Sequence, residues 1–153
     1  MSEGKIKIGL VGCGRVSRTT HYDAIKKNPF LDFRSVCDVN RKRADEWSKK
    51  NGVKSYYNID DLLDNEDLDL VTINVPNRLH PELAIKVAQR GINVICEKPL
   101  GIRLTEVDEL ISCCVFNQWY INPKNNIYCN IYIVSMLIDN IHNIIIHMLI
   151  YVI

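Results

Sequence analysis

An alternation constrains this chain more than any other feature. Five short apolar runs are each closed by a turn and followed by a stretch with the marks of a helix. Ile6–Val11 is the first run, and it breaks straight into glycines; Asp32–Cys37, Val53–Tyr57, Leu70–Val75 and the INVIC run before Glu97 are the others. The first helix is expected over Arg15–Lys27, stopped by Asn28-Pro29, and the second is capped by Asn40, runs to Lys50 and is closed by Asn51-Gly52. A brief helix from Asp60, its expected cap, to Leu63 follows. Pro81 opens the next helix and Gly91 ends it, and Thr105 caps a last one from Glu106 to about Cys114. The five candidate strands read as apolar runs instead of period-two patterns, which suits strands covered on both faces. Right-handed crossovers between such strands predict an α/β fold, a doubly wound parallel sheet ordered 3-2-1-4-5.

The first turn carries a chemical hint. Gly12-Cys13-Gly14-Arg15-Val16-Ser17 places two glycines between a buried strand and a helix N-terminus. Gly12 permits a tight turn, and Gly14, lacking a Cβ, lets a pyrophosphate approach amides that the helix dipole makes favourable for anions. The third small position is Ser17, where Gly or Ala is usual for close helix–strand packing. Alone, such a turn is often only a tight connection. Asp38 adds a second part, because it ends the second apolar run 21 positions after Ser17. A carboxylate there can accept both ribose hydroxyls of an adenosine and repel a 2′-phosphate, which favours NAD over NADP. Asp38 could equally cap the helix that follows, and the nearby Arg41 and Arg43 keep NADP as the lesser alternative.

Two more clusters follow the fourth and fifth runs, at the sheet edge where open α/β folds bind ligands. One contains Asn74, Val75, Pro76, Asn77 and His80; the other contains Glu97, Lys98, Pro99 and Gly101. A Glu-Lys pair directly after a buried strand is costly unless it meets solvent or ligand. The Lys98 cation could polarise a sugar hydroxyl and stabilise its alkoxide as hydride leaves. Against that, Lys98 also reads as a solvated loop lysine, and His80 as a histidine at a helix start.

Composition changes near residue 116. Residues 117–153 hold 11 Ile and 7 Asn, and only Lys124 and Asp139 are charged. A linker would be richer in Gly, Pro and Ser, whereas Ile, Asn, Tyr and Lys are what AT-rich codons specify. The expectation is therefore a domain at 1–116 and an atypical 117–153 tail, disordered or read out of frame. NIHNIIIHMLIYVI runs without a charged residue but falls short of the roughly 20 apolar residues of a spanning helix. A β-rich addition or a surface helix is the expected form of the tail if it folds. The net charge of +1 offers no basic face for nucleic acid. Six cysteines without a CxxC spacing argue against a metal site or disulfide framework and for reduced thiols in the cytoplasm.

Together, GLVGCGRVSRTTHYDAI, CDVNRKRADEWSKKNGV and VTINVPNRLHPELAIKVAQRGINVICEKPLG resemble the glucose–fructose oxidoreductase/inositol dehydrogenase/MocA (Gfo/Idh/MocA) family of oxidoreductases, over roughly Lys5 to Cys114. The Glu97-Lys98-Pro99 triplet is the most telling mark. The stretch EKPLGIRLTEVDELI is most similar to the sugar-nucleotide branch, the 3-dehydrogenases of UDP-N-acetylglucosaminuronic acid in surface-polysaccharide (lipopolysaccharide) biosynthesis. The resemblance implies a Rossmann domain in which Gly12, Gly14, Arg15 and Val16 wrap the pyrophosphate and Asp38 holds the adenosine ribose. It implies that Val75, Pro76, Asn77 and His80 line the cofactor cleft, with Glu97 and Lys98 near the nicotinamide. It also implies that Lys98 binds substrate and acts in catalysis, and that the Lys98–Pro99 peptide is cis. Substrates of such proteins are sugars, polyols or sugar nucleotides, and full-length relatives are oligomers. Members carry a second, substrate-binding half of equal or larger size, and nothing after Cys114 resembles it. Neither is a sixth nucleotide-domain strand recognisable in VFNQWYINPKNN, and no role passes to His142 or His147. The expectation is a truncated, NAD-binding fragment inactive by itself; the alternative is a non-catalytic dinucleotide- or partner-binding module with an apolar tail, or a gene fragment.

Overall fold

A computed structural model describes residues 4–117 and 131–134. The other tail expectations, including a surface helix and the two tail histidines, lie outside the described residues. Strand β1 is Ile6–Val11, β2 Leu31–Cys37, β3 Lys54–Tyr56, β4 Leu70–Ile73, β5 Asn93–Glu97 and β6 Ile131–Val134. Helix α1 is Tyr22–Lys27, entered through a wide π-helical turn at Ser17–His21; α2 is Arg41–Asn51, α3 Ile59–Asn65, α4 His80–Gln89 and α5 Leu104–Asn117. The strands form one sheet ordered β3-β2-β1-β4-β5-β6, every neighbouring pair parallel. The expected doubly wound order is there, with a sixth strand beside β5 that comes from the stretch read as atypical.

Side chains alternate across each strand, so the sheet splits its apolar residues between two cores. Ile8, Leu10 and Val36 point to the face covered by Ile25 and Trp47 of α1 and α2. Val11, Cys37, Val71, Ile73, Val94 and Cys96 point to the other, against Leu62, Ala84, Val87 and Leu110 of α3, α4 and α5. Each such buried aliphatic side chain removes enough apolar surface to contribute about 1.5–3 kcal/mol. These cores fix the strand ends, and with them every loop on the carboxyl edge.

The helix caps explain where sequence expectations held and where they moved. Asn40 does cap α2, its Oδ1 accepting the Arg43 amide at 3.1 Å, and left-handed Gly52 closes that helix at φ 67°. Pro81 stands in the first turn of α4 as expected. For α3 the cap is Asn58, which accepts the Asp60 amide at 2.9 Å, so Asp60 lies inside the first turn. Similarly α5 begins at Leu104, which puts Thr105 within the helix; Glu106 instead reaches back to the Arg103 amide at 3.2 Å.

Candidate functional site

Four segments meet at the carboxyl edge of the sheet: the turn after β1, the end of β2, and the loops after β4 and β5. The turn is held from both sides. The Gly12 amide donates to Cys37 O at 2.8 Å and the Asn74 amide to Val11 O at 2.8 Å. Gly12 sits at φ 90°, and a Cβ there would lie 2.5 Å from the Asn74 carbonyl oxygen, so glycine is required by conformation and space together. Gly14 is different, because a Cβ there would meet no protein atom within 4 Å. It directly precedes the helix start, where first-turn amides lack intrahelical acceptors. Arg15 and Val16 are exposed beside it. Ser17 is fully buried, and its hydroxyl donates to the Gly12 carbonyl, which is how a serine occupies the close-packed third position.

Asp38 is nearly buried and has more partners than its place in the sequence suggested. Its Oδ2 accepts the Cys13 amide at 2.9 Å and Arg43 Nη1 at 3.3 Å, while Oδ1 accepts the Asn40 amide at 2.8 Å. The carboxylate therefore clamps the glycine turn and the entry to α2. A carboxylate offers about four lone-pair positions, so a ribose would share this one with protein donors. Both cations that kept a 2′-phosphate open are engaged: Arg43 pairs with Asp38, and the Arg41 guanidinium lies 4.3 Å from the centroid of the Tyr57 ring.

In the loop after β4, Val75 is half-buried, and Pro76 and Asn77 are exposed, the latter opening a short 3-10 turn. His80 departs from expectation. It is fully buried, with Nδ1 2.7 Å from Pro99 O and Nε2 2.9 Å from Val75 O. Both ring nitrogens face carbonyl oxygens, so His80 cannot line an open cleft; it ties the β4 loop to the β5 loop from behind. Its position at a helix start was legible, but its two carbonyl partners come from segments that only the fold brings together.

After β5, the Lys98–Pro99 peptide is cis. Glu97 Oε1 lies 2.7 Å from His21 Nε2, and Oε2 accepts the Lys98 amide at 3.3 Å. The hydrogen bond from His21 chiefly holds the Glu97 carboxyl below its ordinary range, against the opposing effect of burial. The Lys98 side chain is exposed. Burial, with Asp38 nearby, pushes the Cys13 and Cys37 thiols up to about 12, and burial beside Glu97 does the same to Cys96. Sequence reasoning missed His21 and Thr72. Ser17, His21 and Ile25 recur every four residues, and all three are buried, so a polar residue sharing that spacing with Ile25 was the available signal.

Two features fit a dinucleotide. The first is the open space at Gly14; the second is the Asn74 side-chain nitrogen, which is buried at the end of β4 without a partner. Among the described residues no group of three or more His, Cys, Asp or Glu is placed to hold a metal ion, and no helix is long and apolar enough to cross a membrane.

Comparison with known proteins agrees with this geometry. Residues 6–119 match the profile described as an oxidoreductase family with an NAD-binding Rossmann fold. Myo-inositol 2-dehydrogenase of Thermotoga maritima is 33% identical over 107 residues, which is 69% of this chain and 32% of that protein. Glucose-6-phosphate 3-dehydrogenase of Bacillus subtilis is 34% identical over 100 residues, 65% of this chain and 28% of that protein. The WlbA dehydrogenase of Bordetella pertussis, solved with NADH and UDP-GlcNAcA, superposes with a TM-score of 0.77 at 27% identity, covering 88% of this chain and 37% of that one. The chain thus spans about a third of the length of the relatives it matches.

Proposed function

The chain belongs to the Gfo/Idh/MocA oxidoreductase family, and from that premise we propose that it serves as the NAD-binding domain of a sugar or sugar-nucleotide dehydrogenase. The observation that carries this reading is the open face at Gly14 beside a helix start, with the Asp38 carboxylate across the same turn. Gly12 to Val16 would hold the pyrophosphate through backbone amides, and Asp38 would receive the adenosine ribose. Val75, Pro76 and Asn77 would border the cleft, with His80 holding that loop in place, and Glu97 and Lys98 would stand near the nicotinamide. NAD, when bound, supplies the hydride acceptor. The Lys98 ammonium would hold the substrate's secondary hydroxyl and stabilise the negative charge that grows on its oxygen.

A sugar nucleotide is the substrate class we favour, supported by the fold likeness to a dehydrogenase solved with UDP-GlcNAcA, and surface-polysaccharide synthesis is the setting this suggests. Turnover on this reading needs more than these residues, because substrate, base and hydride acceptor must be held together. The unpaired thiols of Cys13, Cys37 and Cys96 support a reducing compartment, the cytoplasm. Titration with NADH, followed by its fluorescence, tests the proposal: saturable binding is expected, and its absence at millimolar NADH with folded protein would sink it.

A further inference from the structure

Glu97 and Lys98 are adjacent, opposite in charge and at the mouth of the site, so an ion pair between them is the simplest outcome. The fold does something else. Glu97 ends β5 with a side chain only 12% exposed, and its carboxylate is turned to His21, itself 9% exposed, on the turn leading into α1. His21 is anchored on its other side, where Nδ1 lies 3.1 Å from Thr72 Oγ1, and that hydroxyl lies 3.3 Å from Asn74 Oδ1. Thr72 pairs in register with Leu10 and Ile95, which places this chain of polar groups on the α1 face of the sheet.

The proton directions in this chain have two consistent solutions. If Thr72 donates to Asn74, its oxygen accepts from Nδ1–H, and the ring carries protons on both nitrogens. If the Asn74 amide is turned over, its nitrogen donates to Thr72, Thr72 donates to Nδ1, and a neutral ring keeps its proton on Nε2. Either way Nε2–H points at Glu97. We propose that His21 is a positioning residue that draws the Glu97 carboxylate away from the neighbouring Lys98 side chain, so that the Lys98 ammonium is left available to a substrate hydroxyl. The substrate part rests on the function proposed above; the diversion of Glu97 does not. The other groups facing the pair are Thr72 from β4 and, through space, the Lys98 charge itself.

Competitive acetylation of the full chain, with Lys98 quantified by peptide mass spectrometry, reads this directly. His21→Phe removes the donor, so Glu97 turns to Lys98 and acetylation at Lys98 should fall about threefold, the free-amine fraction lost for half a pKa unit. Adding Glu97→Gln to His21→Phe should restore the original rate, an effect that mere loss of packing would not produce. Glu97→Gln alone should leave Lys98 within about twofold of the unaltered chain; a clear rise would show that the carboxylate already faces Lys98 and would overturn the proposal even if His21→Phe fails to fold. Unchanged Lys98 reactivity in folded His21→Phe, or no restoration in the double variant, would overturn it as well. None of these readings involves NADH, so they can succeed while cofactor binding fails, and the reverse.

Discussion

Replacing Gly12 and Gly14 separately by alanine distinguishes the glycine that shapes the turn from the one proposed to admit the cofactor. At Gly12 the backbone is at φ 90°, where an L side chain costs about 1–2 kcal/mol. The new methyl would also stand 2.5 Å from the Asn74 carbonyl oxygen and 3.1 Å from Val75 Cγ1. A backbone atom cannot swing aside, so β4 and the turn must separate, and a total loss of about 2–4 kcal/mol is expected. For a domain of this size that lowers Tm by about 10 °C. At Gly14 the methyl meets no protein atom within 4 Å and the backbone is not left-handed, so Gly14→Ala should leave Tm unchanged or raise it slightly. Its cost falls on the ligand: keeping a phosphate from one or two backbone amides forfeits charge-assisted hydrogen bonds of about 1.5–3 kcal/mol, or about 10- to 150-fold in NADH affinity. Thermal melts by circular dichroism and NADH fluorescence titration on the full chain read both quantities. Equal destabilisation by the two variants, or unaltered NADH binding by Gly14→Ala, would refute the reasoning.

Other residues give sharp outcomes. His80→Ala removes a fully buried ring and its link between the Pro99 and Val75 carbonyls, and should cost about 2–4 kcal/mol in urea unfolding. Asp38→Ala removes the acceptor of the Cys13 amide and releases Arg43; the preference for NADH over NADPH should shrink by about tenfold in competitive titration, and an unchanged ratio would deny Asp38 its discriminating role. Glu97 is held below its ordinary range in the folded chain, chiefly by His21, so its contribution is complete above the unfolded carboxylate value and is lost as pH falls through the folded one. Melts between pH 6 and 3 should therefore show a shallower acid decline for Glu97→Gln than for the unaltered chain.

The parts of this molecule that local chemistry dictates could be read from its residues. Short runs rich in apolar residues and bounded by turns marked the first five strands, and Asn40, Gly52 and Pro81 marked helix ends because their side chains or backbone freedom act within a few residues. The glycine turn was legible for the same reason, while Asp38 and the Glu97-Lys98-Pro99 triplet stood out by their positions at the ends of strands. Failures at the site came where a contact crosses the chain. The α3 cap is a local miss, Asn58 lying two residues before Asp60, whereas the carbonyls that hold His80 lie 5 and 19 residues away. His21 meets Glu97 across 76 residues. Strand β6 is four residues within an isoleucine-rich stretch whose many apolar positions look alike, and its pairing with β5 distinguishes it.

The central claim is that this chain by itself holds a dinucleotide at the β1 turn. Fluorescence titration of the full chain with NADH, beside the Gly14→Ala variant and with circular dichroism to establish folding, tests it most directly. The account predicts saturation by NADH, weaker binding of NADPH, and NADH binding about 10- to 150-fold weaker in Gly14→Ala at unchanged stability. A folded chain that shows no saturable signal at millimolar NADH, or that binds equally well with alanine at position 14, would contradict it.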